Sequence, residues 1–476
     1  MINIKKTSGI IIPRRYEECQ FYNEIKHDLT RHVREYQKST FITNHYYLEA
    51  KNTLKIPRFF PIEKYVNEIE VVQEINDGQD IIINCNIELR DELQKNIVKY
   101  MITNTNGIIK ANPGSGKTIV SIYSVCYLKK KTFILVHRDS LVEQWIGPGT
   151  IDKKQGFLSY SDIDKNEIGR LNSNNFKNVL KKSIILCTDQ TFTSLLRRAK
   201  REEFLIELNN ANIGIFIADE VHTTVGAPTF AECSLHIPSK RVFGLSATPD
   251  RQDGTTNIIK YHLGEIYVPE GKSSTMDARV TVLLFDFGFL PKSRFYIYYN
   301  DFFQKTRYLK ILKNSKIFMN IIVSLVNKFV NDNRQILVVG ERIKLLELLF
   351  SKCKSNSKGI FMAGSSMDEI EKQVTYTTPV KSRDGVDYVS KDCLILSSPI
   401  TNIDQMSGRA LRPKAGKLQP LLIDLVDIGI SDVKRTLFGR LEFYKSRDWE
   451  VKFIFISSNG KKNEISEEQV IEILGE

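Results

Sequence analysis

Short apolar runs bounded by polar residues recur along the chain from about residue 82: Gly107–Ala111, Thr132–His137, Ser183–Thr188, Ile213–Ala218 and Arg241–Ser246. Runs of this length, separated by stretches with helical spacing, predict buried parallel strands joined by crossover helices. A second series begins at Val280–Phe287. It continues through Gln335–Gly340, Gly359–Ala363, Gln373–Thr377, Asp392–Ser397 and Pro420–Leu425. Within it, Tyr308–Asn331 carries a long amphipathic pattern, and the tail reads as Val451–Ile456 followed by Glu464–Leu474. Two tandem α/β units are the economical reading. The linker falls near 265–280, where Gly271, Lys272, Ser273 and Ser274 cluster. Ahead of both units, residues 16–38 have helical spacing at Ile25, Leu29 and Val33. The turn signal Asn76-Asp77-Gly78-Gln79 closes this region. The expected organisation is an accessory domain over 1–80, a first α/β domain over 81–270 and a second over 271–476.

Composition narrows the class. The chain has 476 residues, 42% hydrophobic and 26% charged, which argues against a disordered or fibrous protein. No stretch reaches the length of a membrane span, and no long apolar run follows Lys5 and Lys6, so neither a membrane anchor nor a secretory leader is expected. The formal net charge is +12, and residues 1–60 carry 11 Lys/Arg against 6 Asp/Glu. A polyanionic partner, nucleic acid first, fits this excess; so does a solvated lysine-rich surface. The seven cysteines include no Cys-x-x-Cys clip, so no structural metal is expected. Thiols inside apolar runs suit a reducing compartment, cytoplasmic or nucleoid-associated, or the host cytoplasm for a viral protein. A monomer is expected.

Two short segments carry chemistry. Residues 111–118 read Ala-Asn-Pro-Gly-Ser-Gly-Lys-Thr, after one apolar run and ahead of the helical stretch Thr118–Leu128. A strand, a glycine-rich turn and a helix start in that order cradle phosphates in backbone N–H groups. Gly114 and Gly116 permit the tight turn around Ser115. Lys117 would reach the terminal phosphates of ATP, and Thr118 would ligate Mg²⁺. Residues 219–222 read Asp-Glu-Val-His at the end of the run Ile213–Ala218. Asp219 would hold that Mg²⁺ through water, and Glu220 would orient the attacking water. ATP and Mg²⁺ are therefore the expected cofactors. Further on, Arg409 and Arg412 lie three apart and share one helix face. With Gln405 and Gly408 flanking them, Arg412 is the choice for an arginine finger, with Arg409 on the phosphate beside it; without those flanks surface ion pairing would be the preferred reading.

Further segments carry a family resemblance. They are Phe133–Trp145 (FILVHRDSLVEQW), Cys187-Thr188-Asp189-Gln190, Gly244–Gly254 (GLSATPDRQDG) and Gln405–Arg412 (QMSGRALR). With the phosphate loop and the acidic pair, and in this order, they resemble the motifs of superfamily 2 helicases of the DExH-box kind. Ala111 stands where the strict loop pattern has glycine, as is familiar in that superfamily. The resemblance spans roughly residues 85–430. Gly244–Gly254 is most similar to phage branch-migration helicases, XPB-type DNA translocases and poxvirus-type transcript-release helicases. Arg440, Phe443, Tyr444 and Trp449 in the tail resemble the viral members.

The resemblance implies an α/β fold of two tandem RecA-like domains with parallel sheets, plus a small N-terminal accessory domain. It also implies roles. His137, Arg138, Thr188 and Gln190 would touch nucleic-acid phosphates. His222 would bond Gln405 and couple the lobes, while Ser246 and Thr248 would link the ATP state to the nucleic-acid track. Asp384–Asp387 resembles a further motif in which Gly385 contacts a phosphate and Asp387 senses the nucleotide. Gln94 would read the adenine edge, or else lie on a solvent-facing helix.

The expected function is an ATP-dependent helicase or translocase, with DNA favoured over RNA, remodelling branched or duplex DNA in recombination, replication or repair. A transcript-release helicase and a nucleic-acid scaffold with a dead ATP site are the alternatives. Intact Lys117, Asp219, Glu220, Arg409 and Arg412 argue against the scaffold. Residues 1–80 would grip duplex DNA or form a solvated helix pair.

Overall fold

A computed structural model describes the chain except residues 1, 35–40, 76, 113, 149–154, 222–227, 251–255, 272–277, 287–295, 300–301, 380–387, 389, 402, 404–405, 408–415, 458–459 and 476, and except the side chains of 33–34, 41–42 and 228–231. Two compact units result, Met1–Ser273 and Ser274–Glu476.

The apolar runs of the first series become a seven-stranded sheet, parallel throughout. Its order is Ile168–Arg170, Ile184–Thr188, Thr132–Val136, Ile215–Ala218, Arg241–Ser246, Asn106–Lys110 and Ile266–Tyr267. Successive side chains of a strand face opposite layers. Accordingly Ile134 and Val136 join one core cluster while Phe133 and Leu135 join the other. Ile215 and Ile217 against Phe216 and Ala218 divide in the same way. Burial on both faces explains why these strands read as continuous apolar runs rather than as alternation. The first strand in sequence, Asn106–Lys110, does not pair with the next, Thr132–Val136; Ile215–Ala218 and Arg241–Ser246 lie between them. Such a change of winding opens a crevice at the carboxyl ends of the strands. The loops after Lys110, Val136, Thr188, Ala218 and Ser246 all leave from that edge.

The N-terminal segment forms a second sheet within the same unit. Its order is Leu48–Glu49, Thr53–Pro57, Gly9–Pro13, Ile2–Lys6 and Ile69–Gln73, with the last pair parallel and the others antiparallel. The helical spacing over 16–38 is realised only as the helix Gln20–Asp28, which buries Tyr22 and Ile25. Thr30–Arg34, including Val33, is instead a strand paired with Phe41–His45. The Thr30 hydroxyl donates to the Lys26 carbonyl at 2.7 Å, satisfying a carbonyl of the last helical turn where the chain departs. This layer docks on the parallel sheet's helices. Ile258, from the helix Thr256–Leu263, enters its core, and Phe60 meets Tyr261 edge-on at 5.0 Å. The Arg58 guanidinium donates to the carbonyls of Ser239 and Lys240 at 2.5 and 3.3 Å. The Ser8 hydroxyl donates to the Leu235 carbonyl at 2.6 Å.

The second unit holds an eight-stranded sheet. Its order is Lys358–Phe361, Val374–Thr377, Ile336–Val339, Cys393–Leu396, Leu421–Asp427, Arg279–Phe285, Glu450–Ile456 and Lys462–Ile465, and only the last pair is antiparallel. The amphipathic stretch Tyr308–Asn331 is two helices, Lys305–Asn314 and Lys316–Asn331. Ser315 interrupts it because its hydroxyl accepts the Phe318 N–H and caps the second helix. The tail segment Glu464–Leu474 also divides, into a strand end and the helix Glu467–Leu474, which a capping box at Ser466 and Gln469 starts. On the helix Ser431–Ser446, Arg440 is buried and ion-paired with Asp424 at 2.7 Å. The Tyr444 hydroxyl donates to the same carboxylate, and Arg440 also donates to the Ile400 carbonyl at 2.7 Å.

Candidate active site

The phosphate loop is built by three elements. The strand Asn106–Lys110 delivers the chain to it, and the helix Lys117–Leu128 leaves from it with Gly116 as N-cap. Gly114 and Gly116 have φ of 83° and 89°, the left-handed region that costs a residue with a Cβ about 1–2 kcal/mol. A Cβ on Gly116 would lie 2.4 Å from Nε2 of Gln94, so a side chain there would displace the Gln94 amide. Gln94 belongs to the third element, the helix Glu92–Thr103, which Asp91 caps by accepting the Gln94 N–H. It is buried rather than solvent-facing. Its amide nitrogen donates to the Ser115 carbonyl at 2.9 Å, and its amide oxygen accepts the Arg90 N–H at 2.8 Å. The side chain therefore clamps the loop.

Lys117 is nearly buried, and its ammonium donates to the Ala111 carbonyl at 2.9 Å across the loop. The Ser115 hydroxyl is buried without a hydrogen-bond partner. A left-handed glycine turn, an unpartnered hydroxyl, a lysine folded over the loop and a helix start with no capping side chain form one concave donor set. These features fit a nucleoside triphosphate's phosphates. Thr118, half-buried, occupies the helix's first turn.

Asp219 and Glu220 follow the strand Ile215–Ala218, two strands from the loop. Asp219 is buried, and its backbone N–H donates to the Leu135 carbonyl. One carboxylate oxygen accepts the Glu220 N–H at 2.9 Å; the other accepts the indole N–H of Trp145 at 2.8 Å. Burial, then the neighbouring Glu220 charge, push the Asp219 carboxyl up to about 6, against the opposing pull of Trp145 and Lys117. Glu220 sits at φ 50°. A non-glycine residue held in that region stores strain of a kind that clusters at functional sites. Two acids at a strand end, one wholly desolvated, suit a hydrated divalent cation that would restore the missing charge balance.

Other candidates occupy the same carboxyl edge. His137 follows the strand Thr132–Val136, and exposed Arg138 is the N-cap of the helix Asp139–Ile146. Thr188 is the N-cap of Asp189–Leu196 and accepts the Thr191 N–H, while Gln190 is exposed in that helix's first turn. Ser246 is buried at its strand end, and its hydroxyl accepts the Thr248 N–H at 3.1 Å. The first unit thus brings together Gln94, Gly114, Ser115, Gly116, Lys117, Thr118, Asp219 and Glu220. His222, Gly385, Asp387, Gln405, Arg409 and Arg412 lie outside the described residues. Sequence reasoning missed two contacts. It did not pair Trp145 with Asp219, and it did not see that Gln94 holds the Ser115 carbonyl. The available signal for the first was an isolated tryptophan closing Phe133–Trp145, one of only two in the chain.

Known proteins agree with this architecture. Residues 70–251 match the family model for the type III restriction enzyme, res subunit. The chain is an ATP-dependent helicase built on RecA-like domains, and the proteins it is similar to are superfamily 2 helicases. Among its relatives, the ATP-dependent RNA helicase L396 of Acanthamoeba polyphaga mimivirus is 25% identical over 95% of this chain and 87% of its own length. Helicase D10 of Escherichia phage T5 is 24% identical over 76% of each chain. The solved structure of the DUF1998 helicase MrfA bound to DNA shares the fold at a TM-score of 0.52 with 12% identity, over 79% of this chain and 54% of that one. Among the described residues no helix is long and apolar enough to cross a membrane, and no group of three or more acids, histidines and cysteines is placed to hold a metal ion.

Proposed function

We propose that this helicase is a translocase that couples ATP hydrolysis to movement on nucleic acid, with branched or duplex DNA as its substrate in recombination, replication or repair. The observation that carries the ATP-driven part is the set of buried Lys117, Ser115 and Asp219 with half-buried Glu220, gathered at one sheet edge. ATP with Mg²⁺ supplies the scissile phosphoryl bond and the metal charge. Backbone N–H groups of residues 114–118 bind the phosphates, and Gln94 fixes the loop that presents them while reading the base. Thr118 and Asp219 hold the hydrated metal. Glu220 takes the proton of the attacking water. Arg409 and Arg412 neutralise charge on the transferring group, with Asp387 sensing the nucleotide.

His222 with Gln405, and Ser246 with Thr248, couple the ATP state to the track. His137, Arg138, Thr188, Gln190 and Gly385 hold phosphates there without reading bases. Residues 1–80 act as an accessory domain, ahead of helicase domains over 81–270 and 271–476; their local excess of basic residues supports a duplex grip. The protein works as a monomer, and its viral relatives support the host cytoplasm as its location.

A second reading is transcript release or RNA unwinding, which the name of the mimivirus relative supports. ATP turnover compared across single-stranded DNA, duplex DNA, forked DNA and RNA separates the two. Strongest stimulation by forked DNA is expected. Stimulation by RNA alone puts the second reading first.

A further inference from the structure

A single side chain joins the helix at the nucleic-acid edge to the carboxylate assigned to the metal. Trp145 is fully buried on the last turn of the helix Asp139–Ile146, and its indole N–H donates to Asp219 Oδ2 at 2.8 Å. The helix's other end is Arg138, preceded by His137. Eight helical residues span roughly 12 Å, a short rigid rod. The rod has a fixed foot. Trp145 lies 6.2 Å from the Phe157 ring. The residue beyond the helix, Gly147, approaches Gln155 and Gly156 so closely that a Cβ on it would lie 1.7 Å from the Gln155 carbonyl oxygen. The strand that feeds this helix, Thr132–Val136, is the direct parallel neighbour of the strand that ends at Asp219, with Leu135 opposite Ala218. The other oxygen of Asp219 is already held by the Glu220 N–H. The indole therefore completes the fixing of this carboxylate, and a tilt of the helix would swing the donor off the oxygen, where a hydrogen bond weakens steeply once its angle falls below about 120°.

We infer that Trp145 is a positioning residue that transmits nucleic-acid contact at Arg138 to the carboxylate of Asp219, and so makes ATP turnover respond to the track. The inference rests on the roles proposed above for the acidic pair and for this helix start. An indole suits the task because it offers one donor on a large flat ring that core packing holds in place. It has no acceptor to draw water beside the acid.

The chain contains two tryptophans, so Trp449→Phe leaves Trp145 as the sole indole reporter. Titrated with oligo(dT), the Trp145 emission should change with the midpoint given by anisotropy of the labelled strand. Binding seen by anisotropy with no change at Trp145 would overturn the link. In the second arm, Trp145→Phe keeps a ring beside Phe157 and deletes the donor. The ratio of oligo(dT)-stimulated to basal kcat should fall about tenfold, the rate equivalent of one lost hydrogen bond to a charged group, while oligo(dT) affinity holds. Arg138→Ala should lower that ratio in the parent chain and lower it no further beside Trp145→Phe, the non-additivity of two residues on one link. An unchanged ratio, even with both rates reduced together, would reduce Trp145 to a support for Asp219 and overturn the inference. If the parent chain's turnover ignored DNA and RNA alike, the reading of the site as a nucleic-acid motor would fall, and this inference with it.

Discussion

At the residue scale, the chemistry was legible where backbone geometry imposes a local spelling. Gly114 and Gly116 had to be glycine because the turn needs left-handed φ, and Lys117, folded over that turn, is the flexible cation proposed for the phosphates. The bond from Trp145 to Asp219 was not legible, since it joins positions 74 apart and leaves no periodic trace. Glu220→Gln should bind ATP with near-parent affinity and hydrolyse it poorly, because an amide keeps the shape and cannot accept a proton. Collapse of affinity in filter binding would instead make Glu220 a binding or structural residue. A second prediction concerns Asp427. Burial pushes its carboxyl up to about 7, against donation from the Gly429 N–H and the Tyr308 hydroxyl. The folded state thus holds a proton that an unfolded Asp loses near about pH 3.9. The contribution of this group to stability must fall as pH rises from about 4 to about 7, and must level off above that. Relative to Asp427→Asn, the parent chain should lose thermal stability across that window; a gain there would show that the acid is charged and paired instead.

At the element scale, the buried parallel strands were the most legible part. Both faces of each strand are covered, so Thr132–Val136 and Ile215–Ala218 stand out as unbroken apolar runs. Helix limits were less legible. The period through Ile25, Leu29 and Val33 continued past the true helix end, because spacing alone cannot show that Thr30–Arg34 finds a strand partner in Phe41–His45. Ser315 broke a pattern that was otherwise continuous, through one side-chain cap. The docking of the N-terminal sheet was invisible beforehand, since it uses backbone carbonyls that no sequence pattern marks. Arg58 is its clearest anchor, buried with its guanidinium on Ser239 and Lys240 just before the strand Arg241–Ser246. Arg58→Ala should therefore lower stability by about 2–3 kcal/mol, the cost of leaving buried carbonyls unsatisfied. Chemical denaturation would measure it, and a change within about 0.5 kcal/mol would mean that the apolar contacts of Phe60 and Ile258 hold the layer alone.

At the scale of the whole molecule, the order of motifs along the chain foretold a superfamily 2 helicase with parallel-sheet RecA-like domains, and the relatives bear that out. Substrate choice was not legible, because a motor grips phosphates, which every nucleic acid offers. Arg412→Ala should lower kcat by about three orders of magnitude with little change in nucleotide affinity, the mark of a charge needed only in the transition state. A rise in KM alone would assign Arg412 to binding. The central claim, that the phosphate loop and acidic pair drive a motor on nucleic acid, is tested most directly by steady-state ATP turnover of the full chain with and without nucleic acid, beside Lys117→Ala. The account predicts turnover that rises on adding nucleic acid and vanishes in a folded Lys117→Ala chain. Turnover indifferent to every nucleic acid tried, or retained without Lys117, would contradict it.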